Sequence, residues 1–444
     1  GGSPRYATLG TSVVESFMVY SSASLSRHFA AMNGSIFDIT TITDPQTAPV
    51  PVVTSRTADY YSSVMFSNAG GEYMLAFNGA DLHLVFDGAA WAVNTPAITG
   101  ISTANITQGW LYRNRIFMVE KNTKKAWYLP VDSIAGAATA FSLGGVFRKG
   151  GNLMFGATWS LDAGDGMDDK CVFVSDLGEV AIYEGSNPGA ANDWSLVGVY
   201  DLAVPMGINA TEKAGGDLLV ATKEGIVPLS AALQKDPAAL SLAAITRAVE
   251  PEWKKDVIRR ATRPWEMVKW PEKNMMLVSM PSSTVQVAAN SQWGTMIWGS
   301  FVWGVDEQTV LREDPYLYVV NLETGKWAKY TGWDAQSVSV FQGKAYYGSA
   351  TGGVFLCEEG ASDDGKAYIC RCATAFDPVD GQESYKQFHM AKATWRYGID
   401  FKDRVSVSTD YVLKWPPSPV AVTTVSGALW DVGRYDIDRW DAGT

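Results

Sequence analysis

The chain has 444 residues, 47% of them hydrophobic, and a formal charge of −11. That length buries an ample core without staples, and the acidity argues against a surface that grips nucleic acid through basic patches. Four cysteines are sparse for a disulfide scaffold of this size, and three histidines leave little room for metal or triad chemistry. The 17 Trp and 42 Gly point to short strands closed by glycine turns, with rings packed between sheets. The chain does not open on Met and is read as the ordered part of a longer product. No cleavable signal peptide and no membrane span is expected.

Taken in chain order, strand-turn-strand units recur. The first runs Glu72–Asn78, through Gly79-Ala80-Asp81, into Leu82–Phe86, where Asp87-Gly88 turns the chain towards Trp91. Asp-Gly between apolar runs is a strong hairpin signal. The second pairs Arg115–Glu120 with Ala126–Leu129, the third Cys171–Ser175 with Glu179–Tyr183, and the fourth Asp217–Thr222 with Ile226–Leu229. A fifth pairs Tyr316–Val320 with Lys326–Tyr330, and a sixth Ala345–Tyr347 with Val354–Cys357. Turn glycines Gly178 and Gly225 lie 47 positions apart, near the length of one propeller blade. Units stacked radially bury their apolar faces on neighbours and leave only short edges. The turn Asn321-Leu-Glu-Thr-Gly325-Lys-Trp327 looks like those of kelch- or quinoprotein-type blades. The expected fold is an all-β propeller over 31–365; one or two ordinary β-sandwiches is the competing reading.

Between Ser230 and Arg260 the apolar spacing changes from two to three or four, so a small helical insertion is predicted at about 230–260, with Pro251 in the first turn of its second helix. The apolar tract Thr295–Val305 reads as strand and turn. After about residue 366 the texture changes again. Strands are expected at Ile369–Phe376, Phe388–Tyr397 and Arg404–Ser408, then a rigid proline segment at Lys414–Val420. The end of the chain sets an aromatic before Asp at Trp430, Tyr435 and Trp440, either to dock on a partner or to pack on its own subunit. Three regions follow: 1–30, an N-terminal segment packing with the C-terminal region; 31–365, the propeller; and 366–444, a β-rich, platform-like docking region.

No phosphate loop, paired-histidine zinc motif or nucleophile elbow is present. Two fragments approach the aspartate-box turns of sialidases: Ser160–Met167 lacks the Trp, and Ser408–Trp415 has Val412 in place of Gly. The acidic loop Asp162–Asp169 alternates Asp with Gly, as a Ca²⁺ loop does, but lacks a terminal Glu; it is read as a polar turn. Cys370 and Cys372 share one strand face and find too few partners for zinc. No catalytic, cofactor-binding or metal-binding residue is assigned, no cofactor is expected, and the chain is read as not an enzyme.

The stretch Asp162–Gly185 resembles the tail-hub or nozzle proteins of short-tailed bacteriophages, also called packaged-DNA stabilisation proteins. Val319–Trp333, Val340–Gly348, Ser408–Tyr411 and the Trp430–Asp441 tail are similar to the same family, in the same order. Pro281–Gln308 departs from its pattern as an insertion. The resemblance implies a structural virion subunit, made in the host cytoplasm and built into a homohexameric tail ring. That ring continues the DNA channel below the portal and adaptor, retains and then releases the genome, and meets tail fibre or spike proteins. DNA passes without tight binding, and membrane contact is confined to the tail tip. The alternative is a carbohydrate-binding or glycan-cleaving propeller for host recognition.

Overall fold

The computed structural model describes residues 2–160, 169–233, 240–282, 284–288, 307–311 and 313–360, with shorter stretches between 362 and 417. The chain divides into two compact units, 1–360 and 361–444.

The first unit is a seven-bladed β-propeller. The first blade is Ser16–Ser21, Ser26–Met32, Ser35–Asp38 and Pro51–Val53; the second is Ser62–Asn68, Gly71–Phe77, Leu84–Phe86 and Trp91–Val93. The third is Ile106–Tyr112, Arg115–Glu120, Lys125–Tyr128 and Thr139–Ser142; the fourth is Leu153–Ser160, Asp169–Ser175, Glu179–Gly185 and Trp194–Asp201. The fifth has three strands, Thr211–Ala214, Asp217–Thr222 and Gly225–Pro228. The sixth is Glu266–Trp270, Met275–Ser279, Tyr316–Asn321 and Trp327–Thr331. The seventh joins Ser337–Phe341, Lys344–Gly348 and Gly353–Leu356 to Arg5–Thr8, so the first and last strands of the propeller lie side by side and close the ring.

The alternation within a strand explains why neighbouring blades adhere. Successive side chains point to opposite faces, so a central strand must be apolar on both. In Asp169–Ser175, Cys171 and Phe173 enter the core shared with the third blade, while Val172 and Val174 enter the core shared with the fifth. In Asp217–Thr222, Leu218 and Val220 face the fourth blade, whereas Leu219 and Ala221 face the sixth. Seven apolar clusters result, one at each junction between blades. The junction of the third and fourth blades is the most aromatic, with Trp110, Tyr112, Phe117, Phe173, Tyr183 and Trp194 in mutual ring contact. Each such ring removed from water contributes about 1.5–3 kcal/mol before ordering costs.

All six hairpins predicted from the sequence are antiparallel neighbours, each in a different blade. The boundary expected at residue 31 is corrected. It falls inside the strand Ser26–Met32, and the strands within 5–32 belong to the seventh and first blades, because their alternating apolar residues complete those two sheets. The hairpin of the first blade turns at Asn33-Gly34, with φ of 49° and 73°, the left-handed pair that a tight two-residue turn requires. The helical insertion is present as Leu229–Ala232, Leu240–Ala243 and Glu250–Arg260, with Pro251 in the first turn of the last helix.

Within 361–444, the described residues carry one isolated bridge, Asp363 to Lys366, and no strand. Arg404–Ser408, expected as a strand, pairs with none, and its serines turn back locally: Ser406 and Ser408 hydroxyls donate to the Lys414 carbonyl at 3.3 and 3.4 Å. The strand expected at Phe388–Tyr397 is corrected, since its described residues 389–394 form no strand. In Ile369–Phe376 the described residues Ile369, Arg371, Ala373 and Phe376 form none either. The rest of both, the Trp430, Tyr435 and Trp440 positions and Thr295–Val305 lie outside the described residues.

Candidate functional site

Inner strands bring polar side chains to the propeller axis. At six of the seven junctions the first strand of a blade stands against the first strand of the next, as Ser62–Asn68 does against Ile106–Tyr112, and Ser337–Phe341 closes the round against Ser16–Ser21. At the remaining one Leu153–Ser160 stands against Asp217–Thr222. A cavity of ≈ 290 Å³ lies among them, with Phe17, Ser62, Ser63, Gln108, Asn209 and Glu266 on its wall.

One part of the wall is locked. Gln108 Oε1 accepts the Gly156 N–H at 2.7 Å, and Gln108 Nε2 donates to the Gly156 carbonyl at 3.1 Å. The side-chain amide thus does for an inner strand what a neighbouring backbone would. Position 156 has to be glycine here, since a Cβ would lie 2.3 Å from the Trp110 ring. That one residue lets the aromatic core and the polar axis meet.

The only charged side chain on the cavity wall among the described residues is Glu266, which opens the first strand of the sixth blade and is 5% exposed. Its Oε2 accepts the Val338 N–H at 3.0 Å, and its Oε1 takes a long 3.4 Å bond from Asn209 Nδ2. Burial pushes its carboxyl up to about 7, against lowering by Val338, Asn209 and Tyr60. Tyr60 faces the same carboxyl and Asn209, but its buried hydroxyl forms no bond of good geometry to either. Desolvation and the nearby carboxylate raise that phenol well above its usual value. Among the described residues no cation stands against Glu266; its partners are neutral.

A second acid, the half-buried Asp334, serves closure. Arg263 Nη2 reaches Glu15 Oε1 at 3.4 Å and its Nη1 donates to Gln336 Oε1 at 2.9 Å. Gln336 Nε2 donates to Asp334 Oδ1 at 2.7 Å, and the Ala350 N–H to Asp334 Oδ2 at 2.8 Å. Burial lifts Asp334 to about 6, opposed by these bonds and by Arg263. The network joins the segment before the sixth blade to the seventh blade and to the chain leading into the first.

The acidic loop Asp162–Asp169 lies outside the described residues except for Asp169, whose carboxylate accepts the Ser160 hydroxyl. Among the described residues no group of three or more His, Cys, Asp or Glu is placed to hold a metal ion. The histidines are dispersed: His28 is buried against Ser339 at 2.8 Å, His83 is buried against Thr103 at 3.1 Å, and His389 is exposed. Cys171 and Cys357 are buried free thiols, and burial raises both. The Ser408 fragment bends with Asp410 and Tyr411 both at φ 58°, and the Lys414 N–H donates to Ser408 Oγ at 3.0 Å. The sequence reading passed over Glu266. The signal was an acid set inside the apolar run Trp265-Glu266-Met267-Val268, where a strand buried on both faces tolerates a carboxyl only if something receives it.

No protein-family model matches the chain, and no curated protein matches it in sequence. Solved structures do match in fold. The WD40 propeller domain of Doa1 is 11% identical, with a TM-score of 0.43 over 81% of this chain and 97% of that one. YCF48 from Cyanidioschyzon merolae is 9% identical, with a TM-score of 0.43 over 80% and 98%. BamB from Moraxella catarrhalis is 10% identical, with a TM-score of 0.40 over 80% and 97%.

Proposed function

We propose that this chain is a structural virion component, a subunit of the tail nozzle or hub ring of a short-tailed bacteriophage, and that it performs no catalysis. The observation that carries the reading is the order of the stretches resembling that family. Asp169–Gly185, the described part of the first, is the central hairpin of the fourth blade. Val319–Trp333 spans the two outer strands of the sixth blade, and Val340–Gly348 the inner hairpin of the seventh. Ser408–Tyr411 follows in the second compact unit.

In this reading six copies surround the DNA, and the acidic balance of 47 carboxylates against 36 basic residues serves passage. Duplex DNA carries roughly one charge per ~1.7 Å of axis, so a basic wall holds it through many counterion-releasing contacts. Carboxylates facing the lumen centre it by repulsion, screened over about 8 Å at physiological salt. Retention then rests on a narrow gate or a plugging partner rather than on affinity.

The test uses the purified chain and its assembled ring. Weak binding of duplex DNA at low salt, with no turnover of glycans, is expected. Tight DNA binding contradicts the conduit. Robust glycan hydrolysis abolished by one Asp or Glu substitution favours the host-recognition alternative.

A further inference from the structure

The cavity on the propeller axis sets one buried carboxyl in an otherwise uncharged wall. An ordinary buried carboxylate is paired with a cation or saturated with donors. Glu266 has one good donor, the Val338 N–H, one long one from Asn209, and the Tyr60 hydroxyl facing it without a bond of good geometry. It lies on the wall of a cavity of ≈ 290 Å³, room for several waters. The remaining wall is neutral: the hydroxyls of Ser62, Ser63 and Thr211, the amide of Asn209, and the apolar side chains of Phe17 and Val268.

We infer that this cavity is a binding site for a small organic cation bearing a primary ammonium group, with Glu266 as its counter-ion. The ammonium brings three donors, which the carboxylate and hydroxyl oxygens on the wall accept. Its alkyl part lies against Phe17 and Val268, and an aromatic wall attracts an organic cation as well as an alkyl chain. A divalent metal asks for six or more oxygens, several of them carboxylates, and the wall offers one carboxylate. A neutral polyol leaves the charge of Glu266 as uncompensated as water does. The site lies within a single chain, so it stands or falls independently of assembly into a tail ring.

Deprotonated Glu266 is the competent form, and the titratable group facing it is Tyr60, which stays neutral in this range. With the free carboxyl at about 7, the charged fraction falls about tenfold between pH 8 and pH 6, and affinity falls with it.

The experiment is calorimetric titration of the full chain with n-butylammonium chloride at pH 8 and pH 6, with n-butanol as the neutral control. Saturable binding at pH 8, about tenfold weaker at pH 6 and absent for butanol, is expected. Glu266→Gln keeps an acceptor for Val338 and removes the charge; it is expected to abolish binding with an unchanged circular dichroism spectrum. Ser63→Leu fills the cavity, leaves the carboxyl in place, and is expected to abolish binding too. The inference is overturned by no saturable binding at pH 8, by equal binding of butanol, or by undiminished binding in either variant. Should Glu266→Gln fail to fold, the Ser63→Leu and butanol results decide the matter.

Discussion

The fourth and fifth blades solve one problem in two ways. The fourth ends in the strand Trp194–Asp201, which pairs with Glu179–Gly185 and leaves Leu196, Val197 and Val199 exposed. Among the described residues the fifth has no such strand, and its last strand, Gly225–Pro228, is the edge of its sheet with no strand on its outer side. The helical insertion covers that edge. Thr246 Oγ1 accepts the Ile226 N–H at 3.1 Å, Trp253 Nε1 donates to the Thr222 carbonyl at 3.0 Å, and Leu229, Ala232, Leu240 and Ala244 extend the apolar cluster shared with the fourth blade. In the helix Glu250–Arg260, Trp253, Val257 and Arg260 fall on one face at helical spacing. The helix is tied outward to the sixth blade through Asp256, which accepts the hydroxyls of Tyr316 and Tyr318. A blade's outer position therefore asks for apolar cover and hydrogen-bond partners, and strand or helix supplies them equally.

That equivalence is open to attack. Phe173→Ala empties the aromatic junction of the third and fourth blades and is expected to cost about 3–5 kcal/mol, read by denaturant unfolding. Trp253→Ala strikes the cover of the fifth blade and is expected to fall in the same range, about 3–5 kcal/mol. A loss under about 1 kcal/mol for Trp253 would show the helices to be ornament rather than a replacement strand.

Glu266→Gln examines the inner end of the fifth blade, where Asn209 meets the sixth. The carboxyl rises from 4.5 unfolded to about 7 folded, so the native state holds the proton more tightly. Its contribution to stability is complete below 4.5 and is lost as pH rises through about 7. Gln carries no such loss. The variant is expected to be more stable than the parent at pH 8, by on the order of 3 kcal/mol, and nearly equal to it at pH 5, as paired thermal melts will read. Equal stability at both values would mean the carboxyl is not buried as described. Smallest of the four, Thr246→Val removes the acceptor for Ile226 and is expected to cost about 1–3 kcal/mol, with faster exchange of that amide by hydrogen–deuterium exchange. Unchanged exchange would remove Thr246 from the edge.

The hairpins were legible because each is local: an apolar run, a turn with Gly or Asn, and a second run carry the signal within about fifteen residues. The first blade was missed although Asn33-Gly34 is as strong a turn as any recognised. Its partner strands lie near the chain start, where a separate segment was expected. Ring closure by Arg5–Thr8 on Gly353–Leu356 is invisible locally, because the two strands are brought together only by the whole circuit. The helices were legible through the change of period, but not their role as cover, since nothing in 229–260 announces that the preceding sheet lacks a strand. The site was not legible for the same reason as the closure. Glu266, Asn209, Ser62 and Gln108 come from four blades, and only the axis collects them.

The central functional claim, a structural ring subunit, is tested most directly by electron microscopy of purified particles carrying this chain. The account predicts a tail ring of six copies below the portal, each copy resolving as a seven-bladed propeller, with the DNA path running between copies. A map that places the chain as a distal host-binding appendage away from the DNA path, or particles that lack it altogether, would contradict the account.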